Sequence, residues 1–132
     1  MPARRQPRIG DDGVDVAVAV AADGVLLVSD RDNNRVRRID PATGLVTAFA
    51  AIDQPYGIDV AADGTVSVVE GSQNRVVRLS PTGTRLGLVG PAFAVPYDVE
   101  VGDGVTYVLD AGPAGYIRGI APDGTVTTIS RR

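Results

Sequence analysis

Residues 55–83 read PYGIDVAADGTVSVVEGSQNRVVRLSPTG, and this stretch decides the fold. It holds three short runs rich in Val, Ile and Leu, with the turn signal Asp63-Gly64 between the first two and the turn signal Ser80-Pro81-Thr82-Gly83 after the third. Val and Ile favour strands, whereas Asp-Gly is typical of a two-residue hairpin turn and Pro-x-Gly of other tight turns. Together with Thr84–Val89, which follows, the stretch predicts four short antiparallel strands.

The same pattern occurs three times along the chain. Asp-Gly pairs recur every 40 residues, an acid follows each pair, and a proline and a glycine return at similar spacing. The positions are Asp23, Asp63 and Asp103; Asp30, Glu70 and Asp110; Pro41, Pro81 and Pro122; Gly44, Gly83 and Gly124. Four strands per unit of about 40 residues is typical of a β-propeller blade. We therefore predict an all-β chain of three four-stranded antiparallel blades, with about 10 to 12 strands and no helix longer than one turn.

The repeat divides the chain into blades at about 14–54, 55–95 and 96–132, and we interpret residues 1–13 as a disordered or ragged N-terminal segment. Closed propellers have about four to eight blades, so three blades predict half of a six-bladed ring with two apolar sides left open. The residues expected on those sides come from Val16, Val18, Val20, Leu27 and Val36 in the first blade and Val99, Val101, Tyr107, Leu109 and Ile117 in the third.

The open sides predict that the isolated chain is not a well-behaved monomer. We favour a piece of a longer propeller, whose remaining blades complete the ring. The alternative is a homodimer in which two copies close the ring about a twofold axis.

The stretch Pro55–Gly64, followed by Asn74-Arg75-Val76, resembles the NHL-repeat family of propellers, and so does Asp30–Gly44. The likeness covers about residues 14–130, although the third unit lacks the Asn-Arg pair. Glu70-Gly-Ser-Gln-Asn-Arg75 also resembles the streptogramin lyases, which use a histidine base and a divalent metal. The gluconolactonase-like (SMP-30) propellers hold a divalent metal with Glu, Asn and Asp residues.

The resemblance implies two functions of different classes. One is a non-catalytic binding or scaffold module that recognises a protein, peptide or glycan. The other is part of a metal-dependent lactonase-like or lyase-like enzyme, whose catalytic residues lie mostly outside this chain. The chain has no His and no Cys, which removes the commonest general base and all thiolate chemistry, so binding is favoured and no catalytic residue is assigned.

Charge and hydropathy restrict the partners. The formal net charge of −3 argues against a dedicated nucleic-acid binder. No apolar run approaches the roughly 18 residues of a membrane span, and the basic stretch 1–8 is not followed by the apolar region of a secretory signal, so no membrane partner is expected and the location stays open.

Asp30, Glu70 and Asp110 each end the second strand of their blade. One interpretation is a carboxylate cluster for Ca²⁺ or another divalent cation, which prefers oxygen ligands. The favoured one needs no cofactor: Asp30 pairs with Arg35 and Glu70 with Arg75 across the following turn. No arginine stands at the matching position after Asp110, so if any of the three acids is free for ligand chemistry, it is this one.

Four further residues are candidate ligand contacts. Asp59 and Glu100 fall in the first strands, where they would line the central channel, either solvated or on a ligand. Tyr56 and Tyr97 follow a proline at the loop that leads into a blade, either as a recognition surface or as a plug between blades. The arginines of the third strands, Arg37, Arg38, Arg78 and Arg118, are predicted to be solvated.

Overall fold

A computed structural model of the chain describes residues 15–112 and 115–131. Within these ranges, twelve strands form three four-stranded antiparallel sheets in sequence order, which confirms the predicted blades. The strands are β1 (Asp15–Val20), β2 (Leu26–Asp30), β3 (Arg35–Ile39), β4 (Val46–Ala51), β5 (Pro55–Val60), β6 (Val66–Glu70), β7 (Arg75–Leu79), β8 (Arg85–Val89), β9 (Pro96–Gly102), β10 (Val105–Asp110), β11 (Tyr116–Ile120) and β12 (Val126–Arg131). We call β1–β4 blade 1, β5–β8 blade 2 and β9–β12 blade 3. The segment 1–13 lies outside the described residues.

The helical content of the described ranges is two single-turn 3₁₀ helices, Arg31–Asn33 and Gly71–Gln73. They end at Asn34 and Asn74, whose φ angles of +56° and +52° are left-handed. Asn tolerates this conformation better than most residues. None of the described helices has the length and hydropathy needed to cross a membrane.

The Asp-Gly pairs form hairpin turns of two lengths. In blade 2, the Gly64 N–H donates to the Ala61 carbonyl at 2.9 Å and the Ala61 N–H donates to the Thr65 carbonyl at 2.8 Å, so the turn runs from Ala61 to Thr65. The two-residue turn predicted there is wrong, because Gly64 closes a longer turn. Blade 3 has the short form, since Asp103 and Gly104 both have positive φ, +51° and +78°, as a type I′ turn requires.

Two apolar cores lie between the blades. Strand side chains alternate between the two faces of a sheet, so blade 2 gives one face to each core. The core between blades 1 and 2 contains Ala19, Leu27, Val36, Ile52, Ile58, Val66, Val68, Val77 and Leu79. The core between blades 2 and 3 contains Val69, Val76, Val89, Phe93, Val99, Val108 and Ile120. The inner strands β1, β5 and β9 pack side by side.

Blades 1 and 3 each have one sheet face that no other blade covers within residues 15–112 and 115–131. The outer face of blade 1 includes the apolar residues Val18, Val20, Leu26, Val28 and Ile39 and the charged residues Asp30 and Arg37. The outer face of blade 3 includes Asp98, Glu100, Tyr107, Leu109 and Ile117. Val18 and Val20 are 59% and 65% exposed, as predicted for an open side.

Part of the prediction for the open sides is wrong. Leu27 and Val36 are 2% and 0% exposed, and Val99 is 1% exposed, because all three belong to the cores between blades. Val101 also points towards blade 2. Every second residue of a strand shares one face of the sheet, but the alternation does not show which face points outward. The residues predicted for the open sides therefore came from both faces of each blade. The side chain of Val16 lies outside the described part of the chain.

Candidate functional site

The buried acid of blade 2, Glu70, is held by two arginines and one backbone amide. Arg75 Nε donates to Oε1 at 2.8 Å, Arg85 Nη2 donates to Oε2 at 3.2 Å, and the Asp53 N–H donates to Oε2 at 3.2 Å. Burial alone would raise the pKa of this carboxyl, but the three donors outweigh burial and hold the pKa below its usual range. The predicted Glu70–Arg75 pair is confirmed.

The buried acid of blade 1, Asp30, uses a different arginine from the predicted one. Arg37 Nε donates to Asp30 Oδ2 at 2.7 Å, and Asn33 Nδ2 donates to both carboxylate oxygens at 3.0 Å. Arg35 Nε donates instead to the Asn33 carbonyl at 3.3 Å. The predicted Asp30–Arg35 pair is therefore wrong.

The strand register explains this difference. Arg35 lies directly opposite Asp30, whereas Arg37 lies two residues further along β3 on the same face, diagonally across from the acid. Blade 2 has Val77 at this diagonal position, so Glu70, with its longer side chain, pairs with the directly opposite Arg75.

Asp110 is also buried and engaged, so it is no freer for chemistry than Asp30 or Glu70. Its carboxylate accepts the Val95 N–H at 2.8 Å and the Ala94 N–H at 3.3 Å, and Arg118 Nε lies 3.9 Å away. Arg118 holds the diagonal position in blade 3 that Arg37 holds in blade 1. The loop between β10 and β11 is one residue longer than its counterpart in blade 1, which hid this match in the sequence.

Each acid is thus bound by arginine and by its own blade. Over residues 15–112 and 115–131, no group of three or more His, Cys, Asp or Glu side chains is placed to hold a metal ion. Cation binding by Asp30, Glu70 and Asp110 stays a prediction.

Asp59 links two neighbouring blades, and its predicted place in the central channel stays a prediction. Its Oδ2 accepts the Val101 N–H at 2.7 Å, across the seam between inner strands β5 and β9. The carboxylate is half-buried and acts as a bridge between neighbouring blades. The seam is tight, because a Cβ on Gly57 would overlap the backbone of Asp98.

Glu100 is exposed and stands among other acids. Repulsion from Asp59, burial, repulsion from Asp98 and a hydrogen bond with Asp59 together raise the pKa of Glu100 above its usual value. Asp98, which the sequence analysis missed, accepts the Val99 N–H at 2.9 Å. The signal for Asp98 was its position two residues before Glu100, on the same face of β9.

The structure brings Tyr56 and Tyr97 together at the loop end of the inner strands. Their ring centroids lie 5.2 Å apart with an interplanar angle of 79°, the favourable edge-to-face arrangement. Tyr56 packs against the core between blades 2 and 3, and a Cβ on Gly71 would overlap its ring. Tyr97 is 45% exposed. The sequence left open whether the tyrosines form a recognition surface or a plug between blades. Tyr56 is packed as a plug, and Tyr97 lies at the surface.

The third-strand arginines are not uniformly solvated. Arg37 and Arg118 pair with buried acids, and the Arg118 guanidinium lies 4.3 Å from the ring centroid of Tyr116, so the prediction is wrong for these two. Arg78 is exposed, and Arg38 makes a 4.0 Å contact with Asp23.

Comparison with solved structures places the blades among propellers. A catalytically inactive histidine-to-alanine variant of virginiamycin B lyase from Staphylococcus aureus, solved with quinupristin, matches with a TM-score of 0.71 and 23% identity over 92% of this chain and 46% of that chain. A gluconolactonase from Xanthomonas campestris matches with a TM-score of 0.76 and 18% identity over 89% of this chain and 47% of that chain. A chain of a nidogen/laminin complex matches with a TM-score of 0.77 and 19% identity over 89% of this chain and 48% of that chain.

No protein-family model matches the sequence, and neither does any curated protein. Identities this low establish the fold alone. The matches confirm the propeller-blade fold that the sequence resemblance implied, and the similar structures include streptogramin B lyases and a gluconolactonase, the groups that the sequence resembles. The chain spans about half the length of the three structures described.

Proposed function

We propose that this chain is a non-catalytic binding module, whose blades present a protein- or peptide-recognition surface at the loop end of the inner strands. The observation that carries the proposal is the Tyr56–Tyr97 pair, in which the packed ring of Tyr56 supports the exposed ring of Tyr97. A fixed tyrosine supplies contact area and a hydroxyl at low entropic cost, which is why tyrosines are enriched at interaction sites.

The burial and the arginine contacts of the three strand-end acids support a binding role over a catalytic one. A general acid or base needs a carboxyl that can reach a substrate, whereas Asp30, Glu70 and Asp110 are 0%, 4% and 2% exposed and bound by arginines and neighbouring polar groups. The chain also contains no histidine, while the lyase that it resembles in fold was solved as an inactive histidine-to-alanine variant. One similar structure is a nidogen/laminin complex, which supports protein recognition as the class of function.

The second candidate is part of a metal-dependent lactonase-like or lyase-like enzyme. The fold similarity to a gluconolactonase and to streptogramin lyases favours it. Incubating the chain with gluconolactone, with and without Ca²⁺, tests it. Turnover that depends on the cation would favour the enzyme over the binding module.

A phage-displayed peptide library selected on the purified chain tests the binding function. The affinity of recovered peptides is then compared among the wild type, Tyr97→Ala and Leu86→Ala. Leu86 is 58% exposed on the outer strand of blade 2, away from the tyrosines, so it is the control. We expect Tyr97→Ala to weaken binding by about 30-fold, as loss of an aromatic anchor does, and Leu86→Ala to leave it unchanged. Thermal melts check that all three proteins fold.

Peptides that bind the wild type and Tyr97→Ala equally would contradict the proposed surface. A glycan array screened in parallel identifies the other ligand class considered. Binding confined to glycans would contradict peptide recognition.

A further inference from the structure

We propose that the outer faces of blade 1 and blade 3 bind each other across two copies of this chain, so that two chains close a six-bladed ring about a twofold axis. The proposal does not depend on the identity of any ligand. It rests on the two interfaces between blades within the chain, which we call the internal seams. They show how far each repeat position is buried, and which contacts it makes, when another blade covers it.

Equivalent repeat positions are buried inside the chain and exposed at its sides. Ile58 and Val99 are 5% and 1% exposed in the two internal seams, whereas Val18, at the same position of blade 1, is 59% exposed. Val69 is fully buried at the seam with blade 3, whereas its equivalent Leu109 is 44% exposed. Both outer faces therefore keep apolar side chains at positions that neighbouring blades cover elsewhere in the chain.

The outer face of blade 1 is built like a face that the structure shows packed on another blade. In blade 3, Asp110 and Arg118 form a diagonal pair on the face that packs against blade 2. In blade 1, Asp30 and Arg37 form the same diagonal pair on the outer face, with 2.7 Å between Arg37 Nε and Asp30 Oδ2. The outer face of blade 1 therefore has the same charged pair as the face of blade 3 that packs on blade 2. It fits a partner face similar to the one that blade 2 turns towards blade 3.

The outer face of blade 3 has a carboxylate at the repeat position whose equivalent in blade 2 accepts a hydrogen bond from the neighbouring blade. Asp59 of blade 2 accepts the backbone N–H of Val101 of blade 3. In the repeat, Glu100 of blade 3 is equivalent to Asp59 of blade 2, and Val20 of blade 1 is equivalent to Val101 of blade 3. Blade 1 has Ala19 at the position of the acid. In the closed ring, Glu100 accepts the N–H of Val20 of the second copy. Because the axis is twofold, this bond forms twice.

The shape of the two faces agrees with this pairing. A groove of about 230 Å³ runs over the outer face of blade 3, lined by Leu109 and Ile117 and by the carboxylates of Asp98 and Glu100. It offers apolar surface to the exposed Val18 and its neighbours. Further blades of a longer chain would cover the same faces, and a monomeric or aggregating isolated chain is the outcome that points to them.

Sedimentation equilibrium over a micromolar concentration series tests the ring. The wild-type chain is expected at twice the protomer mass of 13.7 kDa. Val18→Arg and Leu109→Arg each place a charge in the pairing and are expected to weaken the dimer at least about 100-fold. Leu86→Arg is the matched control, since Leu86 is 58% exposed but lies on neither outer face, and it should leave the dimer intact. Cooperative thermal melts of each variant verify folding, with Leu109→Ala as a milder substitute.

Mixing experiments identify which faces meet. In a heterodimer of Val18→Arg and Leu109→Arg, the unchanged blade 3 of the first variant meets the unchanged blade 1 of the second, so one of the two contacts is intact. Mixing the two monomeric variants is therefore expected to give a heterodimer. Glu100→Ala should weaken the dimer, whereas Glu100→Gln, which keeps an acceptor oxygen, should weaken it less. A wild-type monomer with a cooperative melt, polydisperse aggregates, or a dimer that Leu109→Arg leaves unchanged would each overturn the proposal.

Discussion

The Nε atom of Arg75 lies 2.8 Å from Oε1 of Glu70, and Arg85 Nη2 lies 3.2 Å from Oε2. The acid is 4% exposed, whereas the two arginine side chains are 34% and 43% exposed. A buried charge thus has partners that still reach water, which limits the desolvation cost of the network. Through these contacts and the Asp53 N–H, the end of β6 is tied to β7, β8 and the segment that leads into blade 2.

Glu70→Gln should make the stability of the chain less dependent on acid pH. The pKa of Glu70 is lowered in the folded state, so its contribution is present above the unfolded pKa and is lost as the pH falls through the folded one. We expect the substitution to cost about 2 kcal/mol near neutral pH, because it removes a charged acceptor but leaves partly solvated arginines. Urea unfolding between neutral pH and pH 3 should show the difference from wild type shrinking on acidification.

Asp53→Asn is the control for Glu70→Gln. It removes one negative charge nearby but keeps the backbone N–H that Glu70 accepts. Equal losses for the two variants would contradict a specific role of the Glu70 network.

Arg37→Ala should destabilise blade 1 much more than Arg35→Ala. Arg37 is the ion-pair partner of the fully buried Asp30, and removing it leaves a buried carboxylate without its cation, at a cost of about 3 kcal/mol. Arg35 is exposed and donates to a backbone carbonyl, so its loss should cost about 0.5 kcal/mol or less. Chemical unfolding measures both, and a larger loss for Arg35→Ala would restore the pairing first expected from the sequence.

The repeat predicted the architecture because it indicates the number of strands and the positions of the turns locally. It correctly placed Asp30, Glu70 and Asp110 at equivalent strand ends. It did not predict their partners. Choosing between Arg35 and Arg37 depends on strand register and side-chain direction, because a diagonal neighbour lies only about 2–3 Å farther away than a directly opposite one.

The candidate ligand residues were harder to predict, because their roles depend on contacts between blades. The sequence did not predict that Asp59 accepts the Val101 N–H, which comes from a strand about 40 residues later in the chain. Tyr56 and Tyr97 follow prolines in matching positions, but only packing against the second core separates the plug from the exposed ring. A repeat shows which positions are equivalent, whereas the neighbouring blade decides what each position does.

Gly57→Ala should destabilise the seam between blades 2 and 3. A Cβ at Gly57 would overlap the backbone of Asp98, and packed strands cannot separate there without disturbing the Asp59–Val101 bond. Overpacking of this kind costs about 1–3 kcal/mol. Gly102→Ala is a matched control, since nothing lies within 4 Å of its added Cβ and neither glycine has a positive φ. Thermal unfolding should separate the two variants, and equal melting temperatures would show that the seam tolerates the methyl group.

In the separate protomer, at concentrations too low for two copies to associate, Glu100→Gln should stabilise the folded chain near neutral pH, in the opposite sense to Glu70→Gln. The pKa of Glu100 is raised in the folded state, chiefly by Asp59, then by burial and by Asp98. For an acid shifted upward, the folded state is penalised above the folded pKa, and the penalty disappears once the pH falls below the unfolded one. The neutral glutamine removes the repulsion, so its gain over wild type should be largest at neutral pH and should vanish on acidification. Melting temperatures measured from pH 7 to pH 3, at two protein concentrations to separate association from folding, test this, with Asp53→Asn as the charge control. A gain that persists unchanged at pH 3 would mean that packing, rather than repulsion among the three carboxylates, causes the effect.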